Sequence, residues 1–103
     1  MINEQGPQWD SKLGMREQKG WTEHAAFMDA LQEEGFIVLG GPLKNYAKHR
    51  TLLIFQAPDE ETVRTRFAKD NWIREGMLKT LEIYRWEILL GEDDSKRSAT
   101  RRE

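Results

Sequence analysis

The sequence predicts an α+β domain of ferredoxin-like topology, β-α-β-β-α-β, with two helices on one face of an antiparallel sheet. Three observations predict it. Two stretches carry helical apolar spacing, three carry short β-rich runs, and a short further strand fits the N-terminus. These stretches alternate in the order strand, helix, strand, strand, helix, strand. The middle strands are apolar on both sides, so the sheet face opposite the helices also needs cover. A second copy of the chain supplies that cover most economically, which makes a homodimer the expected assembly.

Met1 to Gln5 has room only for a short strand, ended by Gly6-Pro7. The stretch from there to about Gly20 has no apolar period and reads as a long loop, a kind that is often functional or mobile. Thr22 is the expected N-cap of the first helix, with Glu23 near the positive end of its dipole. Phe27, Met28 and Leu31 define its apolar face, and His24 falls on that face one turn from the start. Gly35 stands where a left-handed C′ residue is expected. Phe36-Ile37-Val38-Leu39 is the next strand, stopped at Gly40-Gly41-Pro42, which reads as a tight turn rather than a nucleotide-binding fingerprint. Lys44 to His49 is a polar loop in which His49 is expected to be exposed and inert. Thr51 to Phe55 is the third strand.

Asp59 caps the second helix, Glu60 and Glu61 fill its first turn, and Val63 and Phe67 mark its inner face. Asp70 falls on that same face at the helix's end. Asn71 to Gly76 reads as a turn or short extra helix carrying Trp72 and Ile73. The last strand is expected from about Lys79 to Leu90, with Trp86 in the core. Its alternation changes phase near Tyr84-Arg85, which a bulge there, or a strand crossing from one environment to another, explains. Residues 1–91 are then one domain. Residues 92–103 carry four acidic and four basic side chains, no hydrophobe larger than Ala99, and the composition of a disordered tail.

Composition excludes several classes. The chain of 103 residues has 16 basic and 18 acidic side chains, a net charge of −2, and no basic stripe for a nucleic-acid backbone. With no cysteine there is no disulfide, thiolate nucleophile or sulfur-ligated metal. No apolar run approaches the roughly 20 residues needed to cross a bilayer, and none looks like a signal peptide, so a cytoplasmic location without membrane contact is expected.

The residues Met15-Arg16-Glu17-Gln18, Gly20-Trp21, Glu23-His24-Ala25-Ala26-Phe27-Met28-Asp29-Ala30-Leu31, Glu34-Gly35-Phe36 to Gly40-Gly41-Pro42-Leu43, Lys69-Asp70-Asn71-Trp72, Glu75-Gly76-Met77-Leu78 and Tyr84-Arg85-Trp86 resemble the YCII-related family. The resemblance runs in order from Gly6 to Leu90. It implies a dimeric α+β barrel with a cleft holding a histidine of the first helix and an aspartate after the second, positions that match His24 and Asp70. Most members have no assigned activity, and elimination on halogenated quinols is suggested for some. Two departures stand out. Asn71 replaces the proline that usually follows the aspartate, which loosens the expected hold on Asp70. The first strand is shorter than the family pattern, implying either a start other than Met1 or a domain that tolerates a short strand.

From phase alone, a buried histidine paired with a helix-end aspartate is more often structural than catalytic. The resemblance raises the pair to a candidate site in which His24 moves a proton and Asp70 orients it. Trp9 and Trp21, flanking the long loop, are expected as pocket walls, with Phe27 and Trp72 as further ring contacts and Arg16 as a polar one. No metal ligand set and no cofactor motif is legible, which suits a lyase or isomerase step on a small cyclic or aromatic substrate. A non-catalytic ligand-binding or accessory dimer is the alternative. A monooxygenase of the dimeric barrel type is a further one, by fold analogy only.

Overall fold

The computed structural model describes residues 1–44 and 47–91. The elements in chain order are β1 (Ile2–Gln5), a 3₁₀ turn (Met15–Glu17), α1 (Trp21–Glu33), β2 (Ile37–Pro42), β3 (Arg50–Phe55), α2 (Glu60–Phe67), α3 (Asn71–Arg74) and β4 (Leu78–Glu82). The strands form one sheet in the order β2-β3-β1-β4, with every neighbouring pair antiparallel. This is the ferredoxin-like α+β arrangement that the element order predicted. The short β1 sits at the centre. No helix is long and apolar enough to cross a membrane among the described residues. The tail expected at 92–103 lies outside them.

Register fixes which side chains face the helices. Ile2 pairs with Leu52 and Glu4 with Arg50, while Asn3 pairs with Thr51. Leu53, two residues beyond Thr51, packs with Leu31, Phe36, Ile37, Val63 and Phe67 in the main core. Asn3, Thr51 and Leu53 therefore point toward the helices, and Ile2, Glu4, Arg50 and Leu52 point away. A second cluster of Trp72, Met77 and Leu78 lies under the long loop, with Trp9, Met15 and Trp21 packed against it.

Local chemistry explains the helix ends. Asp59 caps α2 as predicted, its Oδ1 accepting from the Thr62 backbone at 2.8 Å. Gly35 ends α1 as predicted, with its own N–H reaching Gln32 and that of Phe36 reaching Leu31. The start of α1 differs from expectation. The cap is Gly20 with φ +80°, and Thr22 is already inside the helix. The loop from Gly6 to Gly20 is tied together internally, since the buried Gln18 side chain bonds the Asp10 N–H, the Asp10 carbonyl and the Leu13 carbonyl.

Two strand boundaries also correct the sequence reading. Gly40-Gly41-Pro42 is not a turn, because β2 continues through it and pairs with Leu53, Leu52 and Thr51. A Cβ on Gly40 would lie 2.5 Å from Leu53 Cδ2, so glycine here admits a core side chain rather than a reversal. Pro42 is tolerated because β2 is an edge strand. The last strand ends at Glu82 rather than near Leu90. Among the described residues its only neighbour is β1, and β1 offers pairing no further than Ile2, opposite Glu82. The irregularity falls there, between Ile2 and Asn3, and not at Tyr84-Arg85. Trp86, expected in the core, is 63% exposed.

On the outer sheet face Glu4 is nearly buried. Arg50 donates to it at 2.9 Å, and Lys79 and Lys48 stand 3.8 and 4.0 Å away. The Arg50 hydrogen bond, helped by the three positive charges and opposed by burial, holds the Glu4 carboxyl below its ordinary range. A carboxylate depressed in the folded state contributes stability above its unfolded pKa and loses it as pH falls through the folded value. Wild-type thermal stability should therefore drop between pH 5 and 3 more steeply than that of Glu4→Gln, and parallel curves in calorimetry would contradict this role.

Candidate functional site

The site begins with the loop entering α1. Gly20 adopts a conformation that L-residues seldom take, and its carbonyl accepts both the His24 N–H at 3.0 Å and Asn71 Nδ2 at 3.1 Å. One residue earlier, the Lys19 carbonyl accepts the Trp72 indole N–H at 2.8 Å. Two side chains of α3 thus hold the start of α1. A Cβ at Gly20 would stand 2.7 Å from Asn71 Nδ2 and 3.3 Å from Trp72 Nε1, so glycine is required for both its φ and the closeness of these contacts. Asn71 acts as a clamp between the two helices.

That clamp brings His24 to Asp70. His24 Nδ1 lies 2.9 Å from both carboxylate oxygens of Asp70. Asp70 has no exposed surface and His24 is 6% exposed. With Asp70 ionised, Nδ1 carries the proton and donates it, which leaves Nε2 without a hydrogen-bond partner among the described residues. Trp72 stacks on the other side of the pair's plane, its ring 4.0 Å from that of His24 and 9° from parallel. Trp21 is tilted against both rings, at 5.9 Å from His24 and 5.7 Å from Trp72. The imidazole is therefore fixed by a bidentate acceptor, an indole face and its own helix.

His24 opens onto a cavity of about 560 Å³ between α1 and the helix-facing side of the sheet. Trp21, Ala25 and Met28 wall it on the α1 side, β2 from Ile37 to Pro42 forms its far edge, and Asn3, Thr51 and Leu53 form the floor. Its volume is in the range of small-molecule sites. Among the described residues, no group of three or more His, Asp and Glu side chains is arranged to hold a metal ion.

The sequence-predicted contacts divide. Trp21 and Trp72 line the cavity with His24, and Asp70 stands behind the histidine. Trp9 backs the wall instead, edge-on to Trp72 at 5.5 Å. Arg16 is exposed and lies over the outer face of Trp21 at 5.8 Å. Phe27 turns into the core, edge-on to Phe67 at 6.0 Å, and is not a cavity residue. The reason is angular, since three residues along a helix from His24 carries Phe27 to the far side of the apolar stripe.

His49 is a correction. It was expected to be exposed, but it is half-buried, stacks on Trp9 at 4.3 Å and 11°, and lines the cavity. Burial, and secondarily the charge of His24, lower its pKa below the ordinary imidazole value. Asn3, unnoticed in the sequence, lies in the floor with no exposed surface. The signal for His49 was strand alternation: His49, Thr51, Leu53 and Phe55 share one phase, and extending that phase backward turns His49 inward.

The YCII-related domain family matches residues 4–87. The chain belongs to this family. Searches of curated proteins and of solved structures find no match. The YCII-related match spans every element that builds the cavity except the first three residues, of which Asn3 is one.

Gly20 gives this site a sharp test. Gly20→Ala should lower unfolding free energy in urea by about 2–3 kcal/mol, from left-handed backbone strain and the displaced Asn71 and Trp72 side chains. Gly41→Ala, where a Cβ meets nothing within 4 Å, should stay within about 0.5 kcal/mol of wild type. Equal effects at the two glycines would refute the clamp.

Proposed function

We propose that the cavity is a small-molecule site in which His24 transfers a proton, making the protein a cofactor-independent enzyme of the lyase or isomerase type. The supporting observation is the division of labour on one imidazole: Nδ1 is bound by both oxygens of Asp70, and the ring borders the cavity. Asp70 fixes the tautomer whose Nε2 lone pair can accept a proton from a substrate carbon or hydroxyl. Once protonated, the imidazolium is stabilised by the adjacent carboxylate and by the Trp72 face. The same Nε2–H can then return the proton to a neighbouring atom or to a departing group, which is the proton balance of an isomerisation or an elimination.

A homodimer is part of this reading. The sheet face opposite the helices exposes Leu52 at 38% and Leu81 at 40%, and beyond β4 the chain carries Tyr84 and Trp86 at 69% and 63%. On the edge strand β2, Val38 and Leu39 are exposed at 47% and 65%. Exposed apolar side chains in this number on a small domain favour burial against a partner, and self-association needs no other chain.

Two measurements test these proposals. Small cyclic ketones incubated with the protein in D₂O should exchange their α-protons faster with wild type than without protein, as read by NMR. His24→Gln should abolish the acceleration and Asp70→Asn should reduce it by about 10²-fold or more. Binding with no accelerated exchange in any variant would favour the non-catalytic ligand-binding alternative. In light scattering the protein should run at twice the 12.1 kDa chain mass. Leu52→Glu with Trp86→Glu should reduce it to a monomer, and an unshifted mass would remove this face from the interface.

A further inference from the structure

Asn3 is the most deeply buried polar side chain that nothing in the fold accounts for. It has no exposed surface, and neither its Nδ2 nor its Oδ1 has a hydrogen-bond partner among the described residues. A buried primary amide with both ends unpaired destabilises the fold unless water or a ligand satisfies it. The Nε2 of His49 is buried as well and likewise has no hydrogen-bond partner among the described residues. The two are neighbours by register: Asn3 lies opposite Thr51, the Gln5 N–H reaches the His49 carbonyl at 2.8 Å, and His49 shares the Thr51 phase. Both line the cavity that His24 borders.

The rest of the lining narrows the ligand. It is largely apolar and contains no lysine or arginine, and its remaining charged side chain besides the histidines is Asp29 at the rim. A phosphate or a carboxylate would enter without a fixed cation to offset its desolvation. His49 does not supply one, because burial and the neighbouring His24 hold it toward its neutral form. An uncharged polar group suits the three unpaired atoms of an amide and an imidazole in a lining without lysine or arginine. The amide of asparagine presents a donor and an acceptor side by side, and its complement is a group with an acceptor beside a donor.

Resting on the small-molecule reading above and deepening it, we infer that Asn3 and His49 anchor an uncharged ligand with an N–H donor next to a carbonyl, of the lactam or cyclic amide class. Asn3 forms the paired hydrogen bonds, His49 Nε2 takes a third polar atom, and the aromatic wall of Trp21 and Trp72 holds the flat ring. Asn3 and His49 are binding and specificity residues, separate in role from His24 and Asp70.

The probe pair is 2-pyridone, which has the donor–acceptor edge, and N-methyl-2-pyridone, which lacks the donor; benzoate is the anionic comparison. Titrations followed by tryptophan fluorescence and by the NMR signals of the Trp72 indole and Asn3 amide should show 2-pyridone binding at least fivefold tighter than either comparison. Asn3→Leu should erase that preference while raising Tm by about 5 °C, because an unsatisfied amide is replaced by a hydrocarbon. His49→Phe, which keeps the stack on Trp9, should weaken 2-pyridone. If all three probes bind alike, the cavity reading stands and the assignment to Asn3 is overturned. If none perturbs Trp72, both are overturned. A preference for 2-pyridone that survives Asn3→Leu also overturns the assignment.

Discussion

A carboxylate with no solvent contact cannot stand alone in a protein interior, and Asp70 is such a carboxylate. Its hydrogen-bonding partner is the Nδ1 of His24, met by both oxygens. Removing one partner of a buried pair of this type costs about 3–5 kcal/mol, because the other is left uncompensated. The arrangement therefore links two elements far apart in sequence, the first turn of α1 and the cap of α3, through one contact that neither can relinquish cheaply. The architecture around it follows from that need. Gly20 lets the chain turn into α1 close to α3, Asn71 and Trp72 hold that turn by its carbonyls, and Trp72 presses its face on the imidazole.

The asparagine at position 71, where the resemblance led to the expectation of a proline, fits the same logic. Asp70 has φ −64° and ψ 133°, an extended conformation that a following proline would also enforce. Proline at the first helical position fixes that conformation by removing freedom from the unfolded chain. Asn71 does it differently, by a hydrogen bond to Gly20 that exists only in the folded state. The two solutions are worth similar amounts, of order 1 kcal/mol each. The asparagine releases the backbone constraint at Asp70 and instead ties α3 to the start of α1.

Much of the fold was legible because its signals are local. The Asp59 cap, the Gly35 terminus, the Val63/Phe67 stripe and the phase of His24 each depend on a few neighbouring residues. What was misread depends on partners distant in sequence. The reach of β4 is limited by how far β1 extends, which no feature of Lys79 to Leu90 records. Gly40 and Gly41 look like a turn in isolation and become strand only because Leu53 needs the space above Gly40. Phe27 and His24 share an apolar stripe, yet its width spans a core on one side and a cavity on the other.

The polar floor was hidden for a related reason. Asn3 occupies a strand too short to show alternation, and His49 sits among Lys48 and Arg50, where charge suggests solvent. Arg50 does face outward, to Glu4, and strand geometry then obliges its neighbour His49 to face inward. The charged pair on the outer face and the unpaired polar atoms of the inner one are thus two consequences of one register. A fold optimised for stability alone would place hydrocarbon at Asn3, as it does at Leu53 and Leu78 on the same side of the sheet. Keeping an amide there, between an aromatic wall and an oriented imidazole, makes sense when the atoms it lacks are supplied by a ligand.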